Sequence, residues 1–358
     1  MLLRLHKNPP TALQDSLLRL VEELGYRASF LDRGRQILEL TGPGQPGHRS
    51  RLEDHAAVLQ VLDAGDAPEL SERAPGRADT IVRVGAAAFG GGQAALIAGP
   101  CAVEDEGRLL EIARAVRSAG AALLRGGVYK PRTSPYSFQG LGRPGLEALA
   151  RARAETGLGV VSEVLDPRHL EELGEWVDVF QVGSRNMGNG PLLRELGRAG
   201  KPVLLKRGMA ATAREFLLAA EYVLTGGNDQ LILCERGVRG FDAVTRNVLD
   251  VGTVAHLKRA THLPVIVDPS HAAGRSDLVR PLARAGLAAG ADGLLVEVHP
   301  SPGEVRSDGA QALSPAAFAA LAADARALLA LDGRRLACPD PELDQDPDPA
   351  LSAARVSP

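Results

Sequence analysis

The stretch with the richest potential chemistry runs from Arg125 to Gly140 and carries three cations, Arg125, Lys130 and Arg132, together with several hydroxyl groups. Arginine offers a planar fork of hydrogen-bond donors and lysine a compact charge, and both suit phosphate. Two adjacent glycines let the backbone come close to a ligand. Because the stretch directly follows an apolar run at residues 121–124, it predicts a phosphate-binding loop at the end of a buried strand.

Charged or metal-ligating residue types also follow the other apolar runs of the chain, each at the point where its run ends. Taken together, eight runs are followed by Cys101, Arg125, Glu163, Arg185, Lys206, Glu235 with Arg236, His271 and Glu297. The C-terminal ends of parallel strands form the face on which barrels build their active sites. We therefore predict that these side chains converge on one pocket.

Four side chains are of the types that bind a divalent transition metal. Cys101, His271 and Glu297 follow different runs, and Asp308 lies in the loop after the eighth. A thiolate, an imidazole and two carboxylates suit one ion of the Mn, Fe, Co or Zn class. Such an ion would hold the thiol deprotonated and polarise a carbonyl oxygen, so Cys101 and His271 are also candidate catalytic residues.

Most of the remaining candidates are cations. They comprise six side chains: Arg125, Lys130, Arg132, Arg185, Lys206 and Arg236. So many positive charges at one mouth are too many for a single phosphate, and they predict either two phosphorylated substrates or one bisphosphate. Glu163 lies among them, and two interpretations stay open: a structural counter-charge, or a catalytic group that handles a proton.

Alternating strands and helices must position these residues. The strand-like runs cover residues 94–98, 121–124, 160–161, 177–182, 203–205, 231–233, 265–267 and 293–296. The segments between them have helical periodicity; Leu109, Ile112 and Val116, for example, share one face. Eight such units predict an α/β fold, the (β/α)8 TIM barrel. A doubly wound open sheet is the alternative, because periodicity alone does not show closure.

The first 64 residues have a different pattern. Strand-like runs at residues 2–6, 26–31, 36–40 and 58–62 alternate with helices that begin near Thr11 and Leu52. This order is typical of a small ferredoxin-like α+β domain, to which we assign a regulatory role. We predict a linker at 65–80, a catalytic barrel at 81–331 and a disordered, Asp- and Pro-rich tail at 332–358.

Composition limits the cellular compartments and the classes of binding partner that we expect for this protein. The formal net charge of -3 gives no global reason to expect nucleic acid or an anionic membrane as a partner. Three widely spaced cysteines do not suggest a disulfide framework, and they favour a reducing compartment. No apolar run reaches membrane-spanning length. We therefore expect a cytoplasmic protein that binds neither nucleic acid nor membrane.

With these residues assembled, residues 80–331 resemble 3-deoxy-D-arabino-heptulosonate-7-phosphate (DAHP) synthase, also called phospho-2-dehydro-3-deoxyheptonate aldolase. The chain is similar to the branch of that family with a small ferredoxin-like domain before the barrel. The motifs that carry the resemblance are Ala98-Gly-Pro-Cys101, Arg125-Gly-Gly-Val-Tyr-Lys-Pro-Arg-Thr133, Gln181-Val-Gly-Ser-Arg-Asn186, Leu204-Leu-Lys-Arg-Gly208, Cys234-Glu-Arg-Gly237, Asp268-Pro-Ser-His271, Glu297-Val-His-Pro300 and Ser307-Asp-Gly309.

The resemblance implies a metal-dependent condensation of phosphoenolpyruvate with erythrose 4-phosphate, the first step of the shikimate pathway to aromatic amino acids. It implies that Arg132 and Thr133 bind the phosphate of erythrose 4-phosphate, and that Glu163 lies near phosphoenolpyruvate. The proton donor to the aldehyde stays open between Lys130 and a water on the metal. The metal ligands would be Cys101, His271, Glu297 and Asp308, and the phosphoenolpyruvate contacts Arg125, Lys130, Arg185, Lys206 and Arg236.

The same family has further implications and close rivals. We expect a homotetramer and feedback by Tyr or Phe through the small domain. The nearest rival is 3-deoxy-manno-octulosonate-8-phosphate synthase, which uses arabinose 5-phosphate; Lys130-Pro-Arg-Thr133 argues against it, because that family typically has Lys-Ala-Asn-Arg there. Two more distant rivals are a Schiff-base aldolase with Lys206 or Lys130 as nucleophile and a non-catalytic sugar-phosphate sensor.

Overall fold

The computed structural model describes residues 1–31, 36–45, 47–62, 69–74, 76–130, 136–305 and 308–337. The chain begins with a small antiparallel sheet. Its elements are β1 (Leu2–Leu5), α1 (Thr11–Glu23), β2 (Arg27–Phe30), β3 (Ile37–Thr41), α2 (His48–Glu53) and β4 (Val58–Leu62). The strands lie in the order β2-β3-β1-β4, with β1 antiparallel to both of its neighbours. This order confirms the ferredoxin-like prediction. Residues 32–35, between β2 and β3, lie outside the described residues.

A two-stranded hairpin that sequence analysis did not predict comes next: β5 (Val82–Val84) and β6 (Ala87–Phe89). Phe89 and Val82 are fully buried and pack with apolar residues inside the following barrel, such as Ala95. The hairpin therefore closes the N-terminal end of the barrel. Strands of three residues are too short to show a periodic pattern, which is why the sequence did not indicate them.

Eight parallel strands form the predicted barrel. They are β7 (Gln93–Gly99), β8 (Leu123–Arg125), β9 (Gly159–Glu163), β10 (Val179–Val182), β11 (Val203–Lys206), β12 (Leu231–Glu235), β13 (Val265–Val267) and β14 (Gly293–Glu297). The last strand pairs in parallel with the first from Gly293↔Ala95 to Glu297↔Gly99. This pairing closes the sheet, so the TIM barrel is confirmed and the doubly wound open sheet is wrong.

Helices cover the outside of the barrel, except for the five-residue helix Pro269–Ala273, which lies at its mouth. They are α3 (Glu106–Ala119), α4 (Arg143–Thr156), α5 (Leu170–Trp176), α6 (Gly190–Arg198), α7 (Ala213–Leu224), α8 (Val251–Ala260), α9 (Pro269–Ala273), α10 (Ser276–Ala288) and α11 (Pro315–Leu331). In α3, Asp105 caps the first turn and Gly120 ends the helix at φ 100°. Between these caps, Leu109, Ile112 and Val116 are buried, as the periodicity predicts.

The described part of the predicted linker, residues 69–74 and 76–80, is here called the strap; it packs against the barrel. Glu221 in α7 accepts hydrogen bonds from the backbone N–H of Leu70 (3.0 Å) and Ser71 (2.7 Å) and from the Ser71 hydroxyl (2.6 Å). His262 lies between Thr80 Oγ1 (2.7 Å) and the Leu70 carbonyl (2.9 Å), and burial lowers its pKa to about 4. The polar residues that suggested a linker thus form hydrogen bonds with the barrel. The boundaries at 64 and 81 stay predictions.

The first residues of the predicted disordered tail are part of the fold. Strand β15 (Arg335–Leu336) pairs in parallel with the start of β7, and Arg334 donates to the carbonyls of Leu287 (2.7 Å) and Ala291 (2.9 Å). Residues 338–358 lie outside the described residues. Among the helices that the structure describes, not one is long and apolar enough to span a membrane.

Candidate active site

The candidate side chains point into the barrel because they continue the alternation of its strands. The barrel interior contains Ile97, Leu123, Val161, Leu204 and Leu295, whereas the residues that follow some of them, such as Ala98, Leu124 and Leu205, pack outward with the helices. Side chains two residues apart on a strand share a face. Two positions further on, at the C-terminal ends, come Gly99, Arg125, Glu163, Lys206 and Glu297. The inward-facing positions of the strands are therefore apolar inside the barrel and mostly polar at its C-terminal end.

A cavity of about 310 Å³ opens at this mouth. The structure brings to it nearly all of the predicted residues that it describes. Lining side chains from that set are Cys101, Arg125, Lys130, Glu163, Arg185, Lys206, Arg236, His271 and Asp308. Glu297 lies just behind and is almost fully buried. Arg132 and Thr133 lie outside the described residues.

The four predicted metal ligands form one group. One donor atom each from Cys101, His271, Glu297 and Asp308 can be chosen so that all lie within 4.8 Å of one another. The Cys101 thiol donates to Asp308 Oδ2 at 3.2 Å, and His271 Nε2 is 3.1 Å from Glu297 Oε1. Four donors at this spacing, of mixed soft and hard type, are close enough to share one transition-metal ion.

Asp268 holds both His271 and Lys206 in place. Its carboxylate is fully buried and bonds to the backbone N–H of His271 (2.9 Å), to His271 Nδ1 (2.7 Å) and to the ammonium of Lys206. With the Nδ1 proton directed to Asp268, Nε2 presents its lone pair to the ligand group. Although burial alone would raise it, His271 and Lys206 hold the pKa of Asp268 well below its ordinary value.

Burial opposes the charged form of three of the four ligands, Cys101, His271 and Asp308. It raises the pKa of the Cys101 thiol to about 11, with Glu297 adding to the effect, so the thiol is neutral at pH 7. Burial also lowers the pKa of His271. For Asp308, burial opposes ionisation, but the facing His271 and Arg246 outweigh it and lower the pKa of the carboxyl.

Two buried ion pairs orient Arg125, the last residue of β8, and Lys130, in the loop that follows. Arg125 Nη1 donates to Glu297 Oε1 at 2.9 Å, and Lys130 Nζ bonds to the Cys101 carbonyl (3.0 Å) and to Glu163 Oε2 (3.4 Å). Burial opposes the charge on Lys130, but Cys101 and Glu163 outweigh it and raise its pKa. Gly183 leaves room for Glu163, since a Cβ there would lie 2.0 Å from its Oε1.

The cavity has more positive than negative groups. Six cations line it: Arg125, Lys130, Arg185, Lys206, Arg236 and Arg246. The four nearest carboxylates are Glu163, Asp268, Glu297 and Asp308, so that a formal excess of two positive charges remains. Within the described part of the chain, the buried Arg236 Nε has no hydrogen-bond partner. Burial lowers the pKa of Arg236. An unmet guanidinium donor among spare positive charges favours a bound anion.

Sequence analysis missed several residues of this site. Asp268 follows β13 directly, and a carboxylate three residues before His271 is a signal for a capping and orienting group. Arg207 is buried and pairs with Glu235 (2.8 Å), which also accepts from the backbone of Gly237 (2.6 Å). Arg246 lines the cavity from a long loop and follows no strand exit, so the sequence pattern carried no signal for it.

A closed (β/α)8 barrel whose mouth combines clustered cations with potential metal ligands is typical of TIM-barrel enzymes with anionic substrates. Comparison with known families makes the assignment specific. Residues 78–329 match the model of the DAHP synthetase I family, and the chain belongs to that family.

Individual relatives agree with the family match. The phospho-2-dehydro-3-deoxyheptonate aldolase of Thermotoga maritima is 51% identical over 235 residues, which cover 66% of this chain and 70% of the relative. The crystal structure of the DAHP synthase from the same organism superposes with a TM-score of 0.74 at 39% identity, covering 94% of this chain and 98% of that one. The 2-dehydro-3-deoxyphosphooctonate aldolase of Syntrophotalea carbinolica is 35% identical over 255 residues, covering 66% of this chain and 90% of the relative.

Proposed function

We propose that this protein condenses phosphoenolpyruvate with erythrose 4-phosphate to give DAHP and inorganic phosphate. The observation that carries the proposal is a single cavity with three potential metal ligands in its wall, a fourth, Glu297, just behind it, and six cations around it. Two phosphorylated substrates account for the excess positive charge. The 51% identical relative, named as an aldolase of this type, supports the same reaction.

The residues present fit one divalent ion of the Mn, Fe, Co or Zn class. Cys101, His271, Glu297 and Asp308 would hold it, and Asp268 would orient the imidazole. When bound, the ion supplies a Lewis acid for the aldehyde oxygen. The thiol and the imidazole favour a transition metal over Mg²⁺ or Ca²⁺, which prefer oxygen ligands.

The cations bind and orient phosphoenolpyruvate. We assign Arg236, Arg185, Lys206 and Arg125 to its phosphate and carboxylate, because they line one cavity and Arg236 has an unmet donor. Held in this way, C3 of phosphoenolpyruvate is presented to the aldehyde carbon of erythrose 4-phosphate. Arg132 and Thr133 keep their assignment to the sugar phosphate on sequence grounds.

Lys130 and Glu163 handle the protons. As the C–C bond forms, the aldehyde oxygen takes a proton, which we assign to Lys130 because its raised pKa keeps it charged at neutral pH. Water then adds to the former enol C2 and passes a proton to Glu163, the carboxylate beside Lys130. The bond between C2 and the phosphate oxygen then breaks, and phosphate leaves with the bonding electron pair. The C2 hydroxyl gives its proton to the neutral Lys130 amine, so that a ketone remains and Lys130 is charged again.

The aldose decides between this function and its rival. The 35% identical relative, named as a 2-dehydro-3-deoxyphosphooctonate aldolase, favours arabinose 5-phosphate as a second candidate. We expect phosphoenolpyruvate consumption with erythrose 4-phosphate to exceed that with arabinose 5-phosphate by at least about 100-fold, and a chelator to abolish it. A preference for arabinose 5-phosphate would reverse the assignment. Chelator-resistant turnover with borohydride trapping of a substrate adduct would instead establish a Schiff-base aldolase.

For regulation, we propose feedback by Tyr or Phe bound at the small N-terminal domain, and a homotetramer as the assembly. A variant that begins at Glu69 removes the small domain but keeps the strap, so it should stay active and lose inhibition by Tyr and Phe. A variant that begins at Ile81 also removes the donors to Glu221 and the partners of His262. It should unfold more easily, by about 3 kcal/mol.

Steady-state rates with and without Tyr or Phe, and thermal unfolding of both variants, measure these effects. If the variant that begins at Glu69 is active yet inhibited as strongly as the full chain, the regulatory assignment is wrong. Equal thermal stability of the two variants would show that the strap contributes little to the barrel. Light scattering on the full chain tests the homotetramer.

A further inference from the structure

The loop that connects β12 to α8 is fastened to the helix that carries His271. The backbone N–H of Arg246 donates to the Ala273 carbonyl (3.0 Å), and that of Asn247 donates to the Ala272 carbonyl (2.8 Å). The Asn247 side-chain amide donates to the His271 carbonyl at 3.1 Å. Arg246 therefore starts from a backbone position that is fixed relative to the ligand group.

The guanidinium of Arg246 is tied to both carboxylates of that group. Its Nη1 donates to Asp308 Oδ1 at 2.9 Å and to Gln311 Oε1 at 3.2 Å. The amide of Gln311 in turn donates to Glu297 Oε2 at 2.8 Å. One cation thus holds Asp308 directly and Glu297 through Gln311.

These contacts divide the work of the two Asp308 oxygens. Oδ1 is taken by Arg246, whereas Oδ2 faces Cys101 Sγ at 3.2 Å and His271 Nε2 at 4.0 Å. The carboxylate is therefore turned so that a single oxygen is directed at the other ligands. Without the tie at Oδ1, rotation about the side-chain bonds would lose this orientation.

The backbone of Asp308 adds to the need for an external tie. Its φ of 60° lies in the left-handed region, which a residue with a side chain seldom occupies. Gly309, the next residue, lies so close to the Pro302 carbonyl that a Cβ would be 2.2 Å from that oxygen. A segment in this conformation keeps its place only when surrounding contacts hold it.

We propose that Arg246 is a positioning residue that orients Asp308 and, through Gln311, Glu297, and thereby sets the affinity of the protein for its divalent metal. The inference rests on the metal site of the proposed function. It extends that function to a residue some ten positions beyond the nearest strand exit. Arg246 does not contact the ion in this account; it acts through the two carboxylates.

Metal affinity of the full-length variants tests the proposal. Arg246→Met removes the guanidinium and keeps most of the side-chain length, and we expect Mn²⁺ and Zn²⁺ to bind roughly 10- to 100-fold more weakly. Arg246→Lys keeps the charge without the planar fork, so its affinity should be intermediate. Dissociation constants come from competition of the metal-free protein with a chromophoric chelator.

Two further variants make the result specific. Arg239→Met removes an exposed arginine from the same loop and should leave metal affinity unchanged. Gln311→Met cuts only the branch to Glu297 and should weaken binding less than Arg246→Met. Circular dichroism of each metal-free variant checks that the barrel is folded.

The outcomes separate the inference from the proposed function. If Arg246→Met binds metal as tightly as the wild type while the wild type depends on metal, the positioning role is wrong and the proposed function stands. If the wild type binds no divalent metal and is insensitive to a chelator, the metal site itself is wrong, and the inference falls with it. Weaker binding in both Arg246→Met and Arg239→Met would also overturn it, because the effect would then be one of general charge.

Discussion

Replacement of Cys101 by alanine should lower turnover by roughly a thousandfold or more, equivalent to about 4 kcal/mol of transition-state stabilisation. The thiol is the soft donor among the four proposed ligands, and its Sγ lies 3.2 Å from Asp308 Oδ2. Its loss leaves three ligands and opens the wall of the cavity. Metal content by elemental analysis and the steady-state rate at saturating substrates measure the two expected losses together.

Cys234→Ala is the matched control for this prediction. Cys234 is equally buried, but its side chain packs with the apolar residues inside the barrel and does not line the cavity. The control should cost some stability and keep metal content and rate within a few-fold. If Cys101→Ala retains near-normal rate and metal content, the proposed metal site is wrong.

Asp268→Asn should damage the metal site and the anion site at once. The substitution keeps the shape of the side chain and removes its charge, so buried Lys206 loses its counter-charge and His271 loses the carboxylate that orients its ring. We expect the free energy of unfolding to fall by about 3 kcal/mol, and kcat/KM for phosphoenolpyruvate to fall roughly 100- to 1000-fold. Chemical denaturation measures the free energy of unfolding, initial rates measure kcat/KM, and metal competition measures the damage to the metal site.

A second buried aspartate at the opposite end of the barrel provides the control. Asp292 pairs with Lys258 at 2.5 Å and accepts from the backbone N–H of Val265 at 2.8 Å, as Asp268 pairs with Lys206 and accepts from His271. Asp292→Asn should cost comparable stability without changing metal affinity or KM. If both variants lose only stability, Asp268 is a structural residue and its assignment to the site fails.

The pKa of Asp268 determines the pH below which its contribution to the free energy of unfolding is lost. Because the carboxyl has a folded-state pKa well below its ordinary value, the ionised form stabilises the fold above pH 4. That stabilisation is lost only as the pH falls from about 4 toward the folded-state value. Between pH 5 and 8, the Asp268→Asn effect on unfolding should therefore not vary through Asp268 itself.

The residues at the mouth of the barrel could be predicted from the sequence because the signal for each of them lies within a few neighbouring residues. Each functional residue follows its own apolar run, and the period of two carries the inward direction from Ile97 through Gly99 to Cys101, or from Leu204 to Lys206. Eight such local signals, combined with the rule that barrel enzymes have their active sites at the C-terminal face, suffice to predict that Cys101, His271 and Arg236 line one cavity.

What the sequence could not show depends on contacts between distant segments. Closure of the sheet requires β14 to pair with β7, and no periodicity within either strand reports on that partner. The strap looked like a linker because Glu221 and His262, which bind it, lie some 150 and 190 residues away. The role of Arg246 could not be predicted for the same reason, because its partner Asp308 is 62 residues away in the sequence.

The barrel has its chemistry at one end and its attachments at the other. The strap, the hairpin β5–β6 and β15 all contact the N-terminal ends of the strands, so the chain enters and leaves the barrel at its closed end. For experimental design, this makes the closed end the place for a surface tether or a fluorescent label. A group attached there, after Ala337 for instance, stays a full strand length from the cavity and leaves substrate diffusion into the mouth unobstructed.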